Sequence, residues 1–303
     1  MGKNSTDNYL RKDDNLRVKP GSKVNLKDFD TRYSADFKSK EDALDMLKQD
    51  IERLSELQDM LFAMNKYGLL IVFQAMDAAG KDGTIKHVMS GVNPQGCEVT
   101  SFKQPSVEEL EHDFLWRINK ALPKRGTISI FNRSHYEEVL VTRVHPEYIL
   151  GQNIPGIDSV DKIDKSFWKA RFRAINDFER QISENGTVIL KFFLNVSKKE
   201  QKERFLARID EPEKNWKFSA GDVKERLLWD KYMEAFEDAL GNTSTEYAPW
   251  FIIPADKKWF MRAAVGDIIV GTLEQMNLSY PKLTEKAKAE IQDAKTLILN
   301  EDK

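Results

Sequence analysis

Continuous apolar runs alternate along this chain with segments whose apolar residues recur at helical spacing. The first long helical segment begins at Ser39, which with Asp42 resembles a capping box, and ends near Tyr67-Gly68. The apolar run at 69–74 follows directly, as expected of a strand buried on both faces of a parallel sheet. The pattern therefore predicts a long amphipathic helix that leads into a buried strand.

The same alternation continues towards the end of the chain. It predicts further strands at 98–102, 127–131, 187–194 and 250–253, and helices at 80–90, 107–122, 160–185, 197–209, 219–241, from 256 onward and at 282–299. Strands separated by helices of this length predict an α/β fold with a doubly wound parallel sheet. Residues 1–38 are polar, which predicts an extended or partly disordered surface arm before a single domain at 39–303.

Composition restricts the class of protein. A chain of 303 residues with 41% hydrophobic content can bury a large core, and a net charge of −2 gives no global argument for nucleic acid or membrane binding. The single cysteine, Cys97, cannot form an internal disulfide, and no apolar run resembles a leader or a membrane span. We therefore expect a soluble cytoplasmic protein whose anionic ligands bind at a local cluster of charge.

The loop after the first strand is the strongest candidate for chemistry. In Gln74-Ala-Met-Asp-Ala-Ala-Gly-Lys-Asp-Gly83, a strand turns through small residues into a helix, so backbone N–H groups can surround a phosphate and Lys81 can add charge. The match to G-x-x-x-x-G-K-[ST] is incomplete, because Ala75 replaces the first glycine and Asp82 replaces the Mg²⁺-binding hydroxyl. Asp77 would repel phosphate unless a metal ion or a proton intervenes. The alternative interpretation is an ordinary strand-to-helix turn.

A second polar element, Asn132-Arg-Ser-His-Tyr-Glu137, follows the strand at 127–131. It falls at the same edge of the sheet as the loop, where open α/β sheets bind their ligands. Arg133 keeps its charge and can clamp phosphate oxygens, and Asn132 stands where nucleoside triphosphatases place a metal-organising acid. The alternative is that these residues only cap the next helix.

A third element is the basic segment around residues 210–212. Its cations lie on both sides of this polar crossing: Lys202, Arg204, Arg208, Lys214 and Lys217. Such a segment is either a solvated helix face or a mobile lid over a phosphoryl-transfer site. The four histidines lack metal-ligand spacing.

Together these elements resemble the polyphosphate kinase 2 family, and within it class III, which phosphorylates both nucleoside mono- and diphosphates. The resemblance extends from about Asp36 to Gln275. It rests on the loop and on four further strings: Ile130-Phe-Asn-Arg-Ser-His-Tyr-Glu-Glu138, Ile175-Asn-Asp-Phe-Glu-Arg180, Trp216-Lys-Phe-Ser219 and Ala248-Pro-Trp250.

The resemblance implies a P-loop kinase sheet with a helical lid at about 205–235. It also implies transfer of the terminal phosphoryl group of inorganic polyphosphate to ADP and AMP, which forms ATP and ADP. Mg²⁺, or alternatively Mn²⁺, is the expected cofactor, and a homo-oligomer, either a dimer or a tetramer, is the expected assembly. Donor and product both contain phosphoanhydride bonds, so the reaction is expected to be reversible.

Roles follow from the resemblance position by position. The expected catalytic residues are Asp77, Lys81 and Arg133, with Asp77 also as the Mg²⁺ ligand. Phosphate or nucleotide contacts are expected from Ala78, Ala79, Gly80, Asp82, Gly83, Thr84, Asn132 and Glu137, and polyphosphate contacts from the lid residues Arg208, Lys214 and Lys217. Two alternatives stay open: an ATP-dependent nucleoside monophosphate kinase of the same fold, and a non-catalytic regulator that binds polyphosphate or nucleotide.

Overall fold

Five parallel strands form one sheet at the centre of the protein, whose computed structural model describes residues 10–301. They are β1 (Gly68–Gln74), β2 (Cys97–Ser101), β3 (Ile128–Asn132), β4 (Thr187–Asn195) and β5 (Trp250–Pro254), in the order β2-β3-β1-β4-β5. Every residue of β1 is buried, as the unbroken apolar run requires. The predicted parallel α/β sheet is confirmed.

Helices connect and flank these strands. They are α1 (Lys40–Met64), α2 (Lys81–Val88), α3 (Val107–Leu110), α4 (Trp116–Lys120), α5 (Val141–Val144), α6 (Glu147–Leu150), α7 (Lys165–Glu184), α8 (Lys198–Asp210), α9 (Ala220–Leu227), α10 (Trp229–Thr243), α11 (Lys258–Gln275) and α12 (Glu285–Leu299). The predicted cap of α1 forms, since the Ser39 hydroxyl accepts a hydrogen bond from the backbone N–H of Asp42 at 3.1 Å.

Three predicted helices differ from the structure. The helix expected at 107–122 divides into α3 and α4, because the Asp113 carboxylate accepts a hydrogen bond from the N–H of Leu115 at 2.9 Å and so competes with helical bonding. The helix expected from 160 begins at α7, where the Asp164 carboxylate caps the first turn. The helix expected at 219–241 divides into α9 and α10 at Leu228.

Residues 16–26 correct the expectation of a surface arm. Leu16, Val18, Val24 and Leu26 are buried. The N–H of Val18 donates to Trp250 O at 2.9 Å, so this segment covers the outer edge of β5. Leu16 and Val18 alternate with polar residues over only a few positions, which is too short a pattern to predict such pairing. The part of the arm at residues 1–9 lies outside the described residues, and the division into an arm and a domain stays a prediction.

The two last helices differ in burial. Most residues of α11 are buried, and α1 packs across it, where an added Cβ at Gly266 would lie 3.2 Å from Leu47 Cδ1. The predicted α12 forms, but none of its side chains is buried. No helix within residues 10–301 is long and apolar enough to cross a membrane.

Candidate active site

The loop at residues 75–80, called here the phosphate loop, joins the carboxyl end of β1 to the first residue of α2. Ala78 and Gly80 have left-handed φ values of 60° and 113°. A Cβ added at Gly80 would lie 3.1 Å from Met261 Cε, so both the backbone and the packing favour glycine there. The loop thus opens a helix in the way that anion sites require.

Side chains from α8 hold the carbonyl groups of the phosphate loop. Gln201 Nε2 donates to Asp77 O at 2.9 Å, and Arg204 Nη1 donates to Ala79 O at 2.5 Å. In a trans peptide the carbonyl and the following N–H point in opposite directions, so the N–H groups of Ala78 and Gly80 are directed away from α8. In the sequence Arg204 is only one basic residue of a charged segment, and no local signal points to Gln201.

Lys81 is almost fully enclosed beside the phosphate loop. The residue is only 9% exposed, and its Nζ donates a hydrogen bond to Ala75 O at 3.0 Å. Burial lowers the pKa of Lys81 to about 8, and the nearby charge of Arg133 adds to the shift. An ammonium group with little hydration attracts a phosphate more strongly than an exposed one.

Arg133 connects the phosphate loop to the second polar element. Arg133 directly follows β3, which pairs with β1, and its backbone N–H donates a hydrogen bond to Phe73 O in β1 at 3.0 Å. The backbone of Arg133 is left-handed, with a φ of 64°. Its guanidinium donates to Asp77 Oδ1 at 2.6 Å and to Glu137 Oε2 at 3.1 Å. The carboxylates of Glu137 and Asp77 raise the pKa of Arg133, so the fork stays charged.

The remaining predicted phosphate contacts divide into two groups. One group lines a cavity that opens over the phosphate loop and consists of Asp82, Gly83 and Asn132. Asn132 Nδ2 donates a hydrogen bond to Asp82 Oδ1 at 2.6 Å. Ala79 and Thr84 are fully buried beneath the cavity, where the Thr84 hydroxyl donates to Gly80 O at 3.0 Å. These last two residues therefore support the turn into α2.

A cavity of about 1400 Å³ opens over the phosphate loop. Ten basic residues line it: Lys81, Lys103, Arg117, Arg133, Arg204, Arg208, Lys214, Lys217, Lys258 and Arg262. Six acidic residues line it: Asp77, Asp82, Glu137, Glu138, Glu147 and Asp222. A local excess of positive charge thus exists in a chain whose net charge is −2.

Four of these cations were not predicted. Lys103 follows β2 and Arg117 belongs to α4, whereas Lys258 and Arg262 belong to α11. They are far apart in sequence and converge only through the strand order, so no local pattern could have identified them.

Part of the segment predicted as a lid at 205–235, from Ala207 to Asp222, contributes residues to the lining of the cavity. Arg208, Lys214 and Lys217 all line it, together with Trp216, which is 78% exposed. Arg208 Nη1 donates to Lys217 O at 3.2 Å and lies 3.5 Å from Asp222 Oδ2. Phe205 and Trp229 are both buried, and Trp229 packs in the hydrophobic core. The movement of the segment as a lid stays a prediction.

A buried polar network lies behind the second polar element. Lys191 Nζ donates to Glu179 Oε2 at 2.6 Å and to Tyr136 Oη at 2.8 Å, and His135 Nε2 lies 3.3 Å from Glu179 Oε1. Burial alone would raise the pKa of Glu179, but Lys191 and His135 outweigh it and the pKa is lowered. Nothing in the apolar pattern of β4 predicted a partner for Lys191.

The carboxylates of the cavity suit a hard divalent cation. Within residues 10–301 no three His, Cys, Asp or Glu side chains are grouped so that they could hold a metal. Asp77, Asp82 and Glu137 nevertheless line the cavity. Mg²⁺ commonly binds through one or two such carboxylates plus substrate phosphates, so these residues fit that mode of binding.

A parallel sheet in this order, with a lysine-bearing phosphate loop at the carboxyl end of its central strand, defines a P-loop kinase fold. The family can be assigned more specifically than this fold. The sequence model of the family Polyphosphate kinase 2 (PPK2) matches residues 37–281, and this chain belongs to that family.

Relatives and a solved structure agree with this assignment. The chain is 51% identical over 276 residues to an ADP-polyphosphate phosphotransferase of Rhodopseudomonas palustris. This alignment covers 91% of this chain and 94% of the relative. It is 46% identical to an AMP/ADP-polyphosphate phosphotransferase of Meiothermus ruber, over 88% and 94% of the two chains. The crystal structure of polyphosphate kinase 2 from Arthrobacter aurescens TC1 superposes with a TM-score of 0.84 at 41% identity, over 95% and 96% of the chains. The resemblance seen in the sequence is confirmed.

Proposed function

We propose that this chain transfers the terminal phosphoryl group of inorganic polyphosphate to ADP and AMP, which forms ATP and ADP, as expected of class III. The principal support is the cavity over the phosphate loop, with ten basic and six acidic residues. Two highly anionic substrates repel each other, and clustered cations offset that repulsion. Relatives named for ADP-polyphosphate and AMP/ADP-polyphosphate transfer support the choice of substrates.

In this proposal the residues around the loop act mainly by positioning and charge. Arg133 holds the Asp77 carboxylate at 2.6 Å, and Asp77 in turn orients the acceptor phosphate. Lys81 and Arg133 hold the phosphates at the point of transfer, while the N–H groups of Ala78 and Gly80 stabilise charge on the transferred group. A terminal phosphate oxygen of ADP is already ionised at neutral pH, so no histidine base is required.

Mg²⁺, or Mn²⁺ in its place, completes the proposed site. Asp77 would hold the cation together with the substrate phosphates, and the bound ion would neutralise charge that develops during transfer. Because donor and product are both phosphoanhydrides, the direction follows the concentrations of polyphosphate and nucleotides. A cytoplasmic location and a homo-oligomeric state stay predictions.

An assay with two substrate pairs tests this function. We expect ATP to form when the protein receives ADP, Mg²⁺ and long-chain polyphosphate, and ADP to form when AMP replaces ADP. A parallel reaction with ATP and AMP, without polyphosphate, tests for a nucleoside monophosphate kinase. Absence of ATP in the first reaction would refute the proposed function, and binding of polyphosphate without turnover would indicate a regulator.

The lid cations give a more specific prediction. Arg208→Ala should raise the KM for polyphosphate by at least about tenfold, because one hydrogen bond to a charged phosphate contributes roughly 1.5–3 kcal/mol. The KM for ADP should change less. Lys202→Ala is the matched control, since Lys202 is exposed on the same helix. A larger effect of Arg208→Ala on the KM for ADP would place Arg208 at the nucleotide instead.

A further inference from the structure

Gln201 is fully buried beneath the phosphate loop and uses both ends of its side-chain amide. Nε2 donates to Asp77 O at 2.9 Å, and Oε1 accepts from Arg226 Nη1 at 2.5 Å. Arg226 belongs to α9 in the lid segment, whereas Asp77 belongs to the loop. One side chain of α8 therefore links the lid segment to the loop.

The chemistry of the three groups permits only one orientation of this amide. A guanidinium group is solely a donor, and a backbone carbonyl is solely an acceptor. The amide of Gln201 satisfies both only when its oxygen faces Arg226 and its nitrogen faces Asp77. Arg226 thereby selects the orientation in which Gln201 can donate to the loop, and a carboxylate or a thioether at 201 could not replace it.

The carbonyl of Asp77 matters because it belongs to the same peptide unit as the N–H of Ala78. When Gln201 holds this carbonyl towards α8, the N–H of Ala78 is directed the opposite way. Ala78 has a φ of 60°, which a residue other than glycine adopts only when its surroundings impose it. The contact with Gln201 is one of the interactions that can impose it.

Arg226 is itself placed by contacts of its neighbour in sequence. Glu225 Oε2 lies 2.9 Å from His145 Nε2 and accepts a hydrogen bond from Tyr232 Oη at 2.6 Å. These contacts attach α9 to α10 and to His145, the residue that directly follows α5. The position of Arg226 next to Gln201 is therefore determined by the contacts that hold α9 in place.

We propose that Gln201 and Arg226 are positioning residues that act in series: α9 places Arg226, Arg226 orients the amide of Gln201, and Gln201 orients the Asp77–Ala78 peptide. This inference rests on the proposed function and deepens it, since it connects the lid segment to the loop that holds the acceptor phosphate. Neither residue is among those that line the cavity, so both act through the loop and not by contact with a substrate.

The test is a double-mutant cycle on kcat for ATP formation. Gln201→Met and Arg226→Met should each lower kcat about tenfold, because small errors in the geometry of a phosphate loop weaken transition-state stabilisation. The double variant should be no more than about twofold slower than Gln201→Met, since two residues in one chain of contacts are not additive. The KM for polyphosphate should stay within about twofold of the original value, because no cavity-lining group is removed. Lys224→Met, an exposed lysine on the same helix, is the matched control and should leave kcat unchanged.

A second variant protects the test against loss of folding. Gln201→Glu keeps the volume and the pairing with Arg226 but cannot donate to Asp77 O while ionised, so kcat should fall as in Gln201→Met although circular dichroism shows a folded protein. Full kcat in Gln201→Glu or Arg226→Met, or multiplicative losses in the double variant, would overturn the inference while the original protein remains active. Lack of activity in the original protein refutes the proposed function instead, and the inference with it.

Discussion

Asp77→Asn is expected to lower kcat for ATP formation from ADP and polyphosphate at least ~10²-fold, the scale of loss when one preorganised electrostatic group is removed from an active site. The substitution conserves shape but removes the negative charge that accepts a hydrogen bond from Arg133 at 2.6 Å. It also removes the proposed ligand of the divalent cation. With an amide in its place, the guanidinium of Arg133 loses one of its two carboxylate partners and can reorient towards Glu137.

Steady-state kinetics with both substrates, together with a thermal unfolding curve, checks this prediction. The melting temperature should change little, because the Asp77 side chain is partly exposed and can be rehydrated. Asp45→Asn, on an exposed face of α1, is the matched control for loss of one carboxylate. A variant at Asp77 with undiminished kcat would remove this residue from the proposed mechanism.

The second large effect concerns stability. Lys191→Met should lower the free energy of unfolding by ~3–5 kcal/mol, the usual cost when one partner of a buried ion pair is removed. Lys191 and Glu179 are both fully buried and only 2.6 Å apart, so the substitution leaves a carboxylate with neither water nor its ammonium partner. Tyr136 Oη and Thr243 O lose a donor as well.

Chemical denaturation monitored by fluorescence gives the measurement, with the shift of the midpoint as the readout. Lys162→Met is the control, since its pair with Asp158 is exposed and should contribute no more than ~1 kcal/mol. Adding Glu179→Gln to Lys191→Met should recover part of the loss, because the uncompensated charge is then absent. An unchanged midpoint in Lys191→Met would contradict the importance assigned to this pair.

Local patterns were sufficient for most elements of the fold. The apolar run at 69–74 became β1, the hydroxyl of Ser39 capped α1, and the loop after β1 formed the predicted turn into α2. Patterns failed where a polar side chain bonded to the backbone, as at Asp113, because periodicity alone does not show whether a carboxylate will bond locally. They also failed for Leu16 and Val18, whose burial depends on the distant strand β5.

The residues of the candidate site likewise divide into those that the local sequence could predict and those that depend on distant contacts. Lys81 could be predicted because it lies beside the loop glycines in sequence, and Arg133 because it follows a strand that ends at the same edge of the sheet. The contact between Arg133 and Asp77 spans 56 positions and depends on the pairing of β1 with β3. The role of Gln201 could not be predicted, since its two partners come from a loop and a helix on opposite sides of it in sequence.

By itself, then, the order of residues determined the parallel α/β class, the phosphate loop and the resemblance to polyphosphate kinase 2, because these depend on periodicity and on contiguous strings. Only the tertiary structure decided which charges meet. The strand order brings Lys103, Arg117, Lys258 and Arg262 to one cavity with Lys81, and it buries Lys191 against Glu179. Electrostatic interactions depend on distance and hydration in space, and neither can be read from separation along the chain.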